Sequence, residues 1–578
     1  MSAVTGVSNI DLNARRFVDS RLIGMRTNRY TWWTHWRELA DYFLPRRYKW
    51  LITPNQQSRG SPINQHILDS TGVLAARNLA SGLMSGKTSP QRPWFKLRIG
   101  NIDSTTTSPV SLWLAECERL MRLVFHESNF YQAMATFYYD LVIYGTAVLL
   151  IYDDYDNVIN CYNPCAGEYY IDIDGNYRPC VMYREFTMTI GAVVERFGYD
   201  NCSTSVQQAY MQPGGAALTR EIIVAHAIEP NTDDRNFGIP KSFPFREFYW
   251  EWGGSASPQN GAQMPPAFLE RKGYHEQPNV TVRWDLVSND PYGRSTAMDA
   301  LGDQKQLQME TRRKAQAIDK MVNPPLWADV QFKNQPASLL PGAINYGTVT
   351  NNGGKAPLGT IYDSRFPVND IVNDIALVQE RIKYTFYNHL FQPISQFETR
   401  SNVTAEEINQ RKAEALIMLG PVFERLDNEG LKPIIERVWG IMVRKNIFPP
   451  PPEEIQGQHM TIDFHSMLAQ AQDAIRATSI ERTLGLAGNL VAVDQNIMDN
   501  IDADFAIQSY STLSGNEPRL MRTPEEVAAI RADRAKQQAA QQQAEMTNNM
   551  AMAAKNLAAA DMGGGTNALQ ALTGGLPQ

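Results

Sequence analysis

Hydrophobic positions in the first part of the chain recur at helical spacing. Residues 11–43 carry large apolar and aromatic side chains, and Pro45 stops the run because proline cannot continue a helix. Residues 63–83 repeat the pattern with alanine and glycine between the apolar positions, which allows helices to approach closely. Residues 109–144 predict two further helices, the second closed by Gly145. The chain therefore begins with a set of packed helices.

From residue 146 the pattern changes to short apolar or alternating runs, which predict β-strands. Asp174 and Gly175 lie between two alternating runs and predict a hairpin. A helical patch at 189–211 interrupts the strands, which then return. Residues 1–290 therefore predict an α+β body, with helices first and mostly antiparallel strands after them.

Two helical runs then flank a segment that cannot be helical. The runs are residues 295–322 and 367–391, and residues 323–366 lie between them. The helix-breaking residues of this segment are Pro324, Pro325, Pro336, Pro341, Gly342, Gly353, Gly354 and Pro357. A helix of about 25 residues is roughly 38 Å long, so we expect the broken segment to project from the body.

The second of these runs has a narrow apolar seam, which predicts packing against the first run. The seam consists of Ile371, Ile375, Val378 and Ile382. A third helical run, 403–445, is interrupted at Gly420 and Pro421, where we expect a kink. Gly430 and Pro433 predict a second bend in the same run.

The C-terminal part is again mostly helical. After a proline-rich linker, residues 460–466 predict a strand, and residues 467–510 have a helical pattern rich in small side chains. Residues 523–526, Thr-Pro-Glu-Glu, combine an N-cap, a first-turn proline and a capping box. The helix that follows extends to about 560, roughly 55 Å, and suits a tube of like neighbours or a partly disordered tail. Residues 561–578 predict a flexible end.

Composition restricts the function classes. The chain has 578 residues, of which 43% are hydrophobic and 20% charged, so it is globular and long enough for several folding units. A net charge of −7 argues against a broad, non-specific grip on duplex DNA, which usually needs a basic surface. No run of 18 apolar residues and no signal-like N-terminus is present, so the sequence predicts no membrane segment.

One triplet, Gly86-Lys87-Thr88, resembles part of a phosphate-binding loop and fails the full motif. Ser81 stands where the motif needs its first glycine, and Pro90 follows where a helix must begin. A helix rather than a strand is also predicted before the triplet. We therefore interpret it as a turn that leads into a strand at 94–99, and expect no nucleotide-binding loop.

Metal and redox chemistry are also not predicted. Cys161 and Cys165 have no second pair of ligands at zinc spacing, because Cys180 and Cys202 stand alone. The DIDGN stretch lacks the bidentate glutamate of a calcium loop, since Val181 occupies that position. An odd, sparse set of five cysteines is typical of a reducing compartment. We expect no catalytic residues, no metal and no cofactor.

Several stretches, in this order, resemble the portal, or head-to-tail connector, proteins of short-tailed, podovirus-type bacteriophages. They are the tryptophan-rich helix ending in LPRR, LDSTGVLAARNLASGLMSGKTSPQRPWFKL, YGTAVLLIY, DGNYRPCVMYREFTMT with a helix ending in RFG, and PYGRSTAMDALGDQKQLQ. The resemblance covers roughly residues 10–530, and the order and spacing of the pieces make it specific.

The resemblance implies an α+β portal fold that assembles as a ring, with twelve subunits around a central DNA channel. By position, its regions are a wing at 1–290, a first stem helix at 291–322, a clip at 323–366, a second stem helix at 367–391, a tunnel loop at 392–402, a kinked wing helix and return strand at 403–464, a crown at 465–522 and a helical barrel or tail at 523–560, before the flexible tail at 561–578.

The resemblance also implies partners and a location. The ring would sit at one vertex of the capsid in the virion, assemble in the host cytoplasm, and pass double-stranded DNA during packaging and ejection. The terminase large subunit would dock at the clip, followed by a tail adaptor protein. Further partners would be the major capsid protein, a scaffolding protein and internal core or ejection proteins. The alternatives are a capsid or tail shell protein and, less well supported, a packaging ATPase.

Candidate DNA-channel residues are four cations. Arg312, Arg313 and Lys314 are adjacent on a helix and point in three directions, so at least one could face a channel. The alternative is a solvated face on which Glu310 pairs with Lys314. Arg400 lies in QPISQFETRSN, which resembles the family's tunnel loop, and is the predicted DNA-facing cation there.

Candidate docking residues lie in the broken segment. Three aromatic residues are predicted to pack within it, and three charged residues to contact a partner. The aromatic residues are Trp327, Phe332 and Tyr346, and the charged residues are Asp329, Lys333 and Lys355.

Overall fold

A computed structural model describes most of the chain as two compact units. The described residues are 9–47, 66–99, 109–232, 237–252, 267–322, 326–328, 358–360, 368–391, 419–452, 460–464, 467–490, 501–514 and 520–559. The larger unit comprises 1–94, 120–448 and 464–468, and the smaller comprises 95–119, 449–463 and 469–578.

Helices and strands are both abundant, as the α+β prediction requires. The helices are α1 (Asn9–Asn28), α2 (Tyr30–Phe43), α3 (Thr71–Lys87), α4 (Pro109–Glu127), α5 (Phe130–Tyr144), α6 (Ile190–Phe197), α7 (Thr204–Tyr210), α8 (Thr296–Val322), α9 (Val368–Thr385), α10 (Asn388–Phe391), α11 (Gly420–Arg425), α12 (Lys432–Arg444), α13 (Met467–Leu490), α14 (Ala503–Leu513) and α15 (Pro524–Ala559). The strands are β1 (Phe95–Ile99), β2 (Thr146–Asp154), β3 (Val158–Tyr162), β4 (Tyr169–Ile173), β5 (Pro179–Thr189), β6 (Glu221–Pro230), β7 (Phe245–Glu251), β8 (Glu270–Tyr274), β9 (Asn279–Arg283), β10 (Leu326–Ala328), β11 (Leu358–Thr360) and β12 (Met460–Phe464).

The larger unit is built on a five-stranded antiparallel sheet in the order β4-β5-β6-β7-β8. The predicted hairpin at Asp174 joins β4 to β5, and the Tyr177 N–H donates to the Asp174 carbonyl across 3.0 Å. Successive residues on a strand face opposite sides. Accordingly, Trp250 packs in the core cluster that contains α1, and Tyr249 in the cluster that contains α6. Helices therefore cover both faces of this sheet.

A second sheet, β3-β2-β9, lies in the same unit and is also antiparallel. Its central strand β2 follows α5 through Gly145, whose φ of 71° is in the left-handed region. A side chain at Gly145 would also meet the Gly293 carbonyl oxygen at 2.5 Å. Glycine at this position therefore brings the end of α5 against the segment that leads into α8.

The first predicted helix is two helices in the structure. A single helix over 11–43 was predicted, but the chain breaks at Arg29, between α1 and α2. The Arg29 side chain is buried and donates hydrogen bonds to the carbonyls of Ala166 and Gly167 at 2.9 and 3.0 Å. This attachment to the segment before β4 places the break at a point that helical periodicity does not reveal.

The second predicted helix is shifted toward the C-terminus. Within the described residues it begins at Thr71, whose N–H donates to Asp69 Oδ1 at 2.8 Å. It runs through Gly86 and Lys87, so the prediction of a turn at these two residues was wrong. Helix α3 continues to Lys87, whose ammonium is buried against Asp427. A helical backbone holds this side chain in place, whereas a loop would not.

The third helical run contains a π-helical turn. The described part begins at Leu419, and Leu426–Leu431 form a π-helix between α11 and α12. An α-helical turn here would press the Pro433 ring against the carbonyl of Glu429, and the wider π turn ends just before that proline. The π-helix replaces the predicted second bend. Residues 403–418 lie outside the described residues, so the kink at Gly420 and Pro421 stays a prediction.

The smaller unit contains the pair β1–β12 and the helices α13 to α15. The Thr523 hydroxyl accepts the Glu526 N–H at 3.3 Å, which confirms the predicted N-cap. Helix α15 then runs for 36 residues, to the end point that the sequence predicted. None of its described side chains is buried, and Arg531 pairs with Asp504 of α14 at 2.7 Å.

Candidate functional site: a helix pair with an anchored half and an exposed half

The first half of α8 is anchored in the larger unit by buried glutamines. Gln308 Oε1 accepts the N–H groups of Leu68 and Asp69 at 2.6 and 2.9 Å. Its Nε2 donates to the Asp69 carbonyl at 2.8 Å, so this side chain closes the loop before α3. The buried residues of α8 are Thr296, Ala297, Ala300, Leu301, Gln304, Leu307 and Gln308.

Gln304 makes the same kind of attachment one turn earlier. It is fully buried, and its Nε2 donates to the Tyr42 carbonyl at 3.4 Å. A Cβ at Gly72 would lie 2.5 Å from Gln304 Oε1, so α3 approaches α8 this closely only because residue 72 is glycine. Lys305 pairs with Glu38 beside it.

Helix α9 packs along α8 through the predicted apolar seam. Ile375, Val378 and Ile382 are buried, which confirms the seam, whereas Ile371 is half-buried. Arg381 Nη2 donates to Asp303 Oδ1 at 3.0 Å, which joins the two helices at their surface. Two further contacts attach the pair to the body. Gln379 donates to Asp69 at 2.8 Å, and Phe386 lies against Phe43 with ring centroids 5.6 Å apart.

The second half of α8 differs sharply from the first. None of the residues 309–322 is buried, and four apolar side chains are 42–71% exposed. These are Met309, Ile318, Met321 and Val322. On α9, Val372, Leu377 and Tyr384 are 39%, 65% and 66% exposed. We call these seven residues the exposed apolar set. Large apolar side chains that a single chain leaves exposed are candidates for contact with another molecule.

The three predicted stem cations lie in this exposed half. Arg312 and Arg313 are exposed and Lys314 is half-buried. Among the described residues, none of the three is within ion-pair distance of a carboxylate. Glu310 instead accepts a hydrogen bond from Gln306 at 2.6 Å, so the alternative Glu310–Lys314 pair is not formed.

Of the segment between α8 and α9, the structure describes the two short strands at its ends. Strand β10 pairs antiparallel with β11, with Trp327 opposite Gly359. Trp327 thus lies in a strand that closes the base of the segment. The other candidate docking residues, Asp329, Phe332, Lys333, Tyr346 and Lys355, fall outside the described residues, and so does Arg400.

A comparison with protein families identifies the family of this chain. The family model described as bacteriophage head to tail connecting protein matches residues 15–521. The chain belongs to this family. As a connector it is a structural component of the phage particle, with capsid and tail partners, and not an enzyme. The resemblance that the sequence motifs indicated is thereby confirmed.

Two curated relatives of the connector cover almost the whole chain. The "Probable portal protein" of Bordetella phage BPP-1 is 39% identical over 549 residues, which is 95% of this chain and 96% of the relative. The "Portal protein" of Salmonella phage epsilon15 is 37% identical over 542 residues, or 93% and 94% of the two chains.

Two partly buried ion pairs attach the connector's π-helical segment to the body, and the sequence did not predict them. Lys87 Nζ lies 2.8 Å from Asp427 Oδ2, and Arg283 Nη2 lies 2.6 Å from Glu429 Oε1. Burial raises the pKa of Asp427, and the charge of Lys87 opposes that rise. The sequence features that could have indicated these ion pairs were a lysine at the end of an apolar helix and two acids in a predicted bend. No local pattern links the lysine to the acids.

Within the described ranges, no group of three or more histidine, cysteine, aspartate or glutamate side chains is placed to hold a metal ion. No helix in the same ranges is both long and apolar enough to cross a membrane.

Proposed function

We propose that twelve copies of this connector form a portal ring at one vertex of the capsid. The observation that carries the proposal is the contrast between the two halves of α8. One half is fixed to the body by Gln304 and Gln308, and the other carries unburied apolar side chains. In this proposal α8 and α9 are the stem, residues 323–366 the clip, residues 1–290 and 403–464 the wing, and residues 465–522 the crown.

The exposed apolar set is the proposed contact between neighbouring stems. A ring repeats one heterologous contact until it closes, so a surface on each copy must meet a different surface of the next. Leu377 and Tyr384 on α9 and Ile318 on α8 supply apolar area for such a contact. Burial of this area stabilises the closed ring relative to free chains, by roughly 25 cal/mol for each Å² of apolar surface removed from water.

The proposed channel carries few positive charges. Arg312, Arg313 and Lys314 on the stem and Arg400 in the tunnel loop at 392–402 are its candidate cations, in a chain of net charge −7. Affinity for duplex DNA grows with the number of phosphates that are neutralised. A thin ring of cations in an otherwise acidic channel would guide DNA without holding it, as both packaging and ejection require.

The clip is the proposed docking platform. The terminase large subunit docks there during packaging and a tail adaptor afterwards, with Lys333, Lys355 and Asp329 as polar contacts. The major capsid protein, a scaffolding protein and internal core or ejection proteins are the other proposed partners of a ring that assembles in the host cytoplasm.

We propose that α15 forms a barrel with the same helix of the other copies in the ring. This helix has 36 residues, no buried side chain in its described part, and a sequence rich in alanine, glutamine and methionine. Twelve such helices side by side would cover one another's apolar positions, including Met546 and Met550, which are 66% and 70% exposed in the single chain.

Native mass spectrometry of the purified chain tests the subunit number. One copy has a mass of 65.1 kDa, so the proposal expects a complex of about 780 kDa. A single species at the mass of one or two copies, at every concentration, would exclude the ring.

A further inference from the structure

A cavity of about 820 Å³ opens in the larger unit, away from the stem helices. Its walls come from β2, β3, β5, β7 and β8, with α6 and α12 beside them. The volume lies within the range of small-molecule sites in proteins. Two cationic side chains in its wall, Arg184 and Arg196, set it apart from ordinary surface grooves.

Arg184 is buried and only partly satisfied. It is 4% exposed, and its Nε donates to His226 Nδ1 at 3.0 Å. Its Nη1 is buried without a hydrogen-bond partner, and its guanidinium lies over the rings of Phe186 and Tyr162, 4.1 and 5.0 Å from their centroids. Among the described residues, no carboxylate lies within ion-pair distance of it. An unmet donor on a buried charged group costs free energy, which a bound ligand or a water molecule would offset.

Arg196, on α6, lies near the same His226 side chain that Arg184 contacts. Its Nη2 donates to the Tyr249 hydroxyl at 3.1 Å, and the Tyr249 ring stacks on His226 with centroids 4.2 Å apart. Burial, together with the charges of Arg184 and Arg196, lowers the pKa of His226 to about 4 against the opposing effect of Glu247. The imidazole is therefore neutral at pH 7. The guanidinium groups of Arg184 and Arg196 thus lie beside an uncharged pair of stacked rings, His226 and Tyr249.

Glu247, the buried acid of the cavity wall, does not neutralise this pair of arginines. Glu247 is engaged by three other donors: His226 Nε2 at 2.7 Å, the Tyr152 hydroxyl at 3.0 Å and the Tyr274 hydroxyl at 2.8 Å. These hydrogen bonds lower the pKa of Glu247 to about 2, although burial alone would raise it.

The other cations of the cavity wall already have carboxylate partners. Lys272 pairs with Glu270 at 2.7 Å, and Arg444 with Glu276 at 2.6 Å. Arg437 pairs with Asp153 at 3.3 Å and with Glu276 at 3.0 Å. The remaining acid of the wall, Asp154, accepts the Asn157 N–H of its own turn at 3.1 Å. Among the described cations of this wall, Arg184 and Arg196 thus form no ion pair, although the charge of the buried Glu168 acts on Arg184.

We propose that this cavity binds a phosphate group, held between the guanidinium groups of Arg184 and Arg196. Guanidinium presents paired N–H donors that match the oxygens of a phosphate. Aromatic side chains, among them Tyr162, Phe186 and Phe243, line the space beside the two arginines. The phosphate could arrive as free inorganic phosphate or on a nucleoside monophosphate, whose base would contact Phe243, since the Arg184 guanidinium already lies over the rings of Tyr162 and Phe186.

Isothermal titration calorimetry of the full-length chain tests the site with inorganic phosphate, a nucleoside monophosphate and the nucleoside alone, at constant ionic strength. The proposal expects saturable binding of both phosphate compounds. Equal affinities identify free phosphate as the sufficient ligand, whereas tighter binding of the nucleotide shows that the aromatic walls contribute. Binding of the nucleoside as tight as that of the nucleotide, or no saturable phosphate binding, overturns the proposal.

Variants separate this site from general charge effects. Arg196 is exposed, so Arg196→Gln should fold normally and weaken phosphate binding about tenfold or more. Arg444→Gln removes a charge from the same cavity that Glu276 already neutralises, and should weaken binding less than about threefold. Equal affinity in Arg196→Gln and the wild type contradicts the proposal. Arg184→Gln gives a second test if circular dichroism shows that it folds.

Discussion

Lys87 Nζ and Asp427 Oδ2 lie 2.8 Å apart, although 340 positions separate them in the chain. The pair joins the C-terminus of α3 to the π-helical segment at Leu426–Leu431. Lys87 is 5% exposed, and Asp427 supplies the carboxylate within ion-pair distance of its ammonium among the described residues. The pair therefore attaches the described part of the third helical run to α3.

Removal of one member of the pair should destabilise the larger unit. Lys87→Met leaves Asp427 partly buried without its counter-charge, which should lower the free energy of unfolding by about 2–4 kcal/mol. Chemical denaturation followed by circular dichroism measures the change. The double variant Lys87→Met with Asp427→Leu should recover most of the loss, because it removes both charges. A double variant as unstable as the single one would contradict the assigned pairing.

The buried His226–Glu247 pair should make stability depend on pH. His226 has a folded pKa of about 4, below its ordinary value of 6.5, because burial penalises the charged imidazole. The unfolded chain therefore binds this proton more tightly between these values. The free energy of unfolding should fall as pH drops from about 6.5 to 4, by up to about 1.4 kcal/mol per pH unit from this group.

His226→Gln removes the titrating group and keeps a donor toward Glu247, so denaturation midpoints should vary less over that pH interval. His126, which is exposed on α4, supplies the matched control. His126→Gln should leave the pH profile of the wild type unchanged. A profile in His226→Gln as steep as that of the wild type would show that other groups cause the dependence.

The exposed apolar set should govern assembly rather than folding. Leu377 is 65% exposed in the single chain, so Leu377→Asp should leave the circular dichroism spectrum and the thermal midpoint nearly unchanged. In a closed ring the same substitution would place twelve carboxylates in apolar contacts and should shift sedimentation from rings to free chains. Leu377→Met, the matched control, should still assemble. Normal rings from Leu377→Asp would remove this residue from the proposed interface.

Arg400 should influence DNA and not ring formation. The substitution Arg400→Ala removes the predicted tunnel-loop cation, so rings should form normally while genome packaging or retention changes. Full and empty heads counted by electron microscopy of the mutant phage measure the effect. Lys555 on α15 offers a control outside the proposed channel cations, and Lys555→Ala should give the wild-type proportion of full heads. The role is refuted by unchanged phage yield and genome content in Arg400→Ala.

Local patterns in the sequence predicted much of the fold. Apolar spacing located α8 and the start of α9 to within one residue, the Asp174 turn located the β4–β5 hairpin, and Thr523 located the start of α15. The predicted run 367–391 is not one helix, because α9 ends at Thr385 and α10 follows Tyr387, whose φ is 52°. Each of these features depends on interactions between near neighbours in the chain. Such interactions are visible in a single sequence because spacing, turn chemistry and capping all act within a few residues.

Features that depend on distant partners could not be predicted in this way. The break at Arg29 depends on carbonyl groups 137 and 138 positions away, and the helical course of Lys87 depends on Asp427. The anchored half of α8 depends on Gln308 and the backbone at Asp69. The proposed assembly was harder still to predict, because it depends on other copies of the chain. Its support is a set of apolar side chains that the single chain leaves exposed.

Cryo-electron microscopy of the purified full-length chain tests the central claim most directly. End views should show closed rings of twelve copies around an opening wide enough for a DNA duplex, and side views should show a narrow neck formed by α8 and α9. Compact single copies at high protein concentration, with no ring and no neck in any view, would contradict the account.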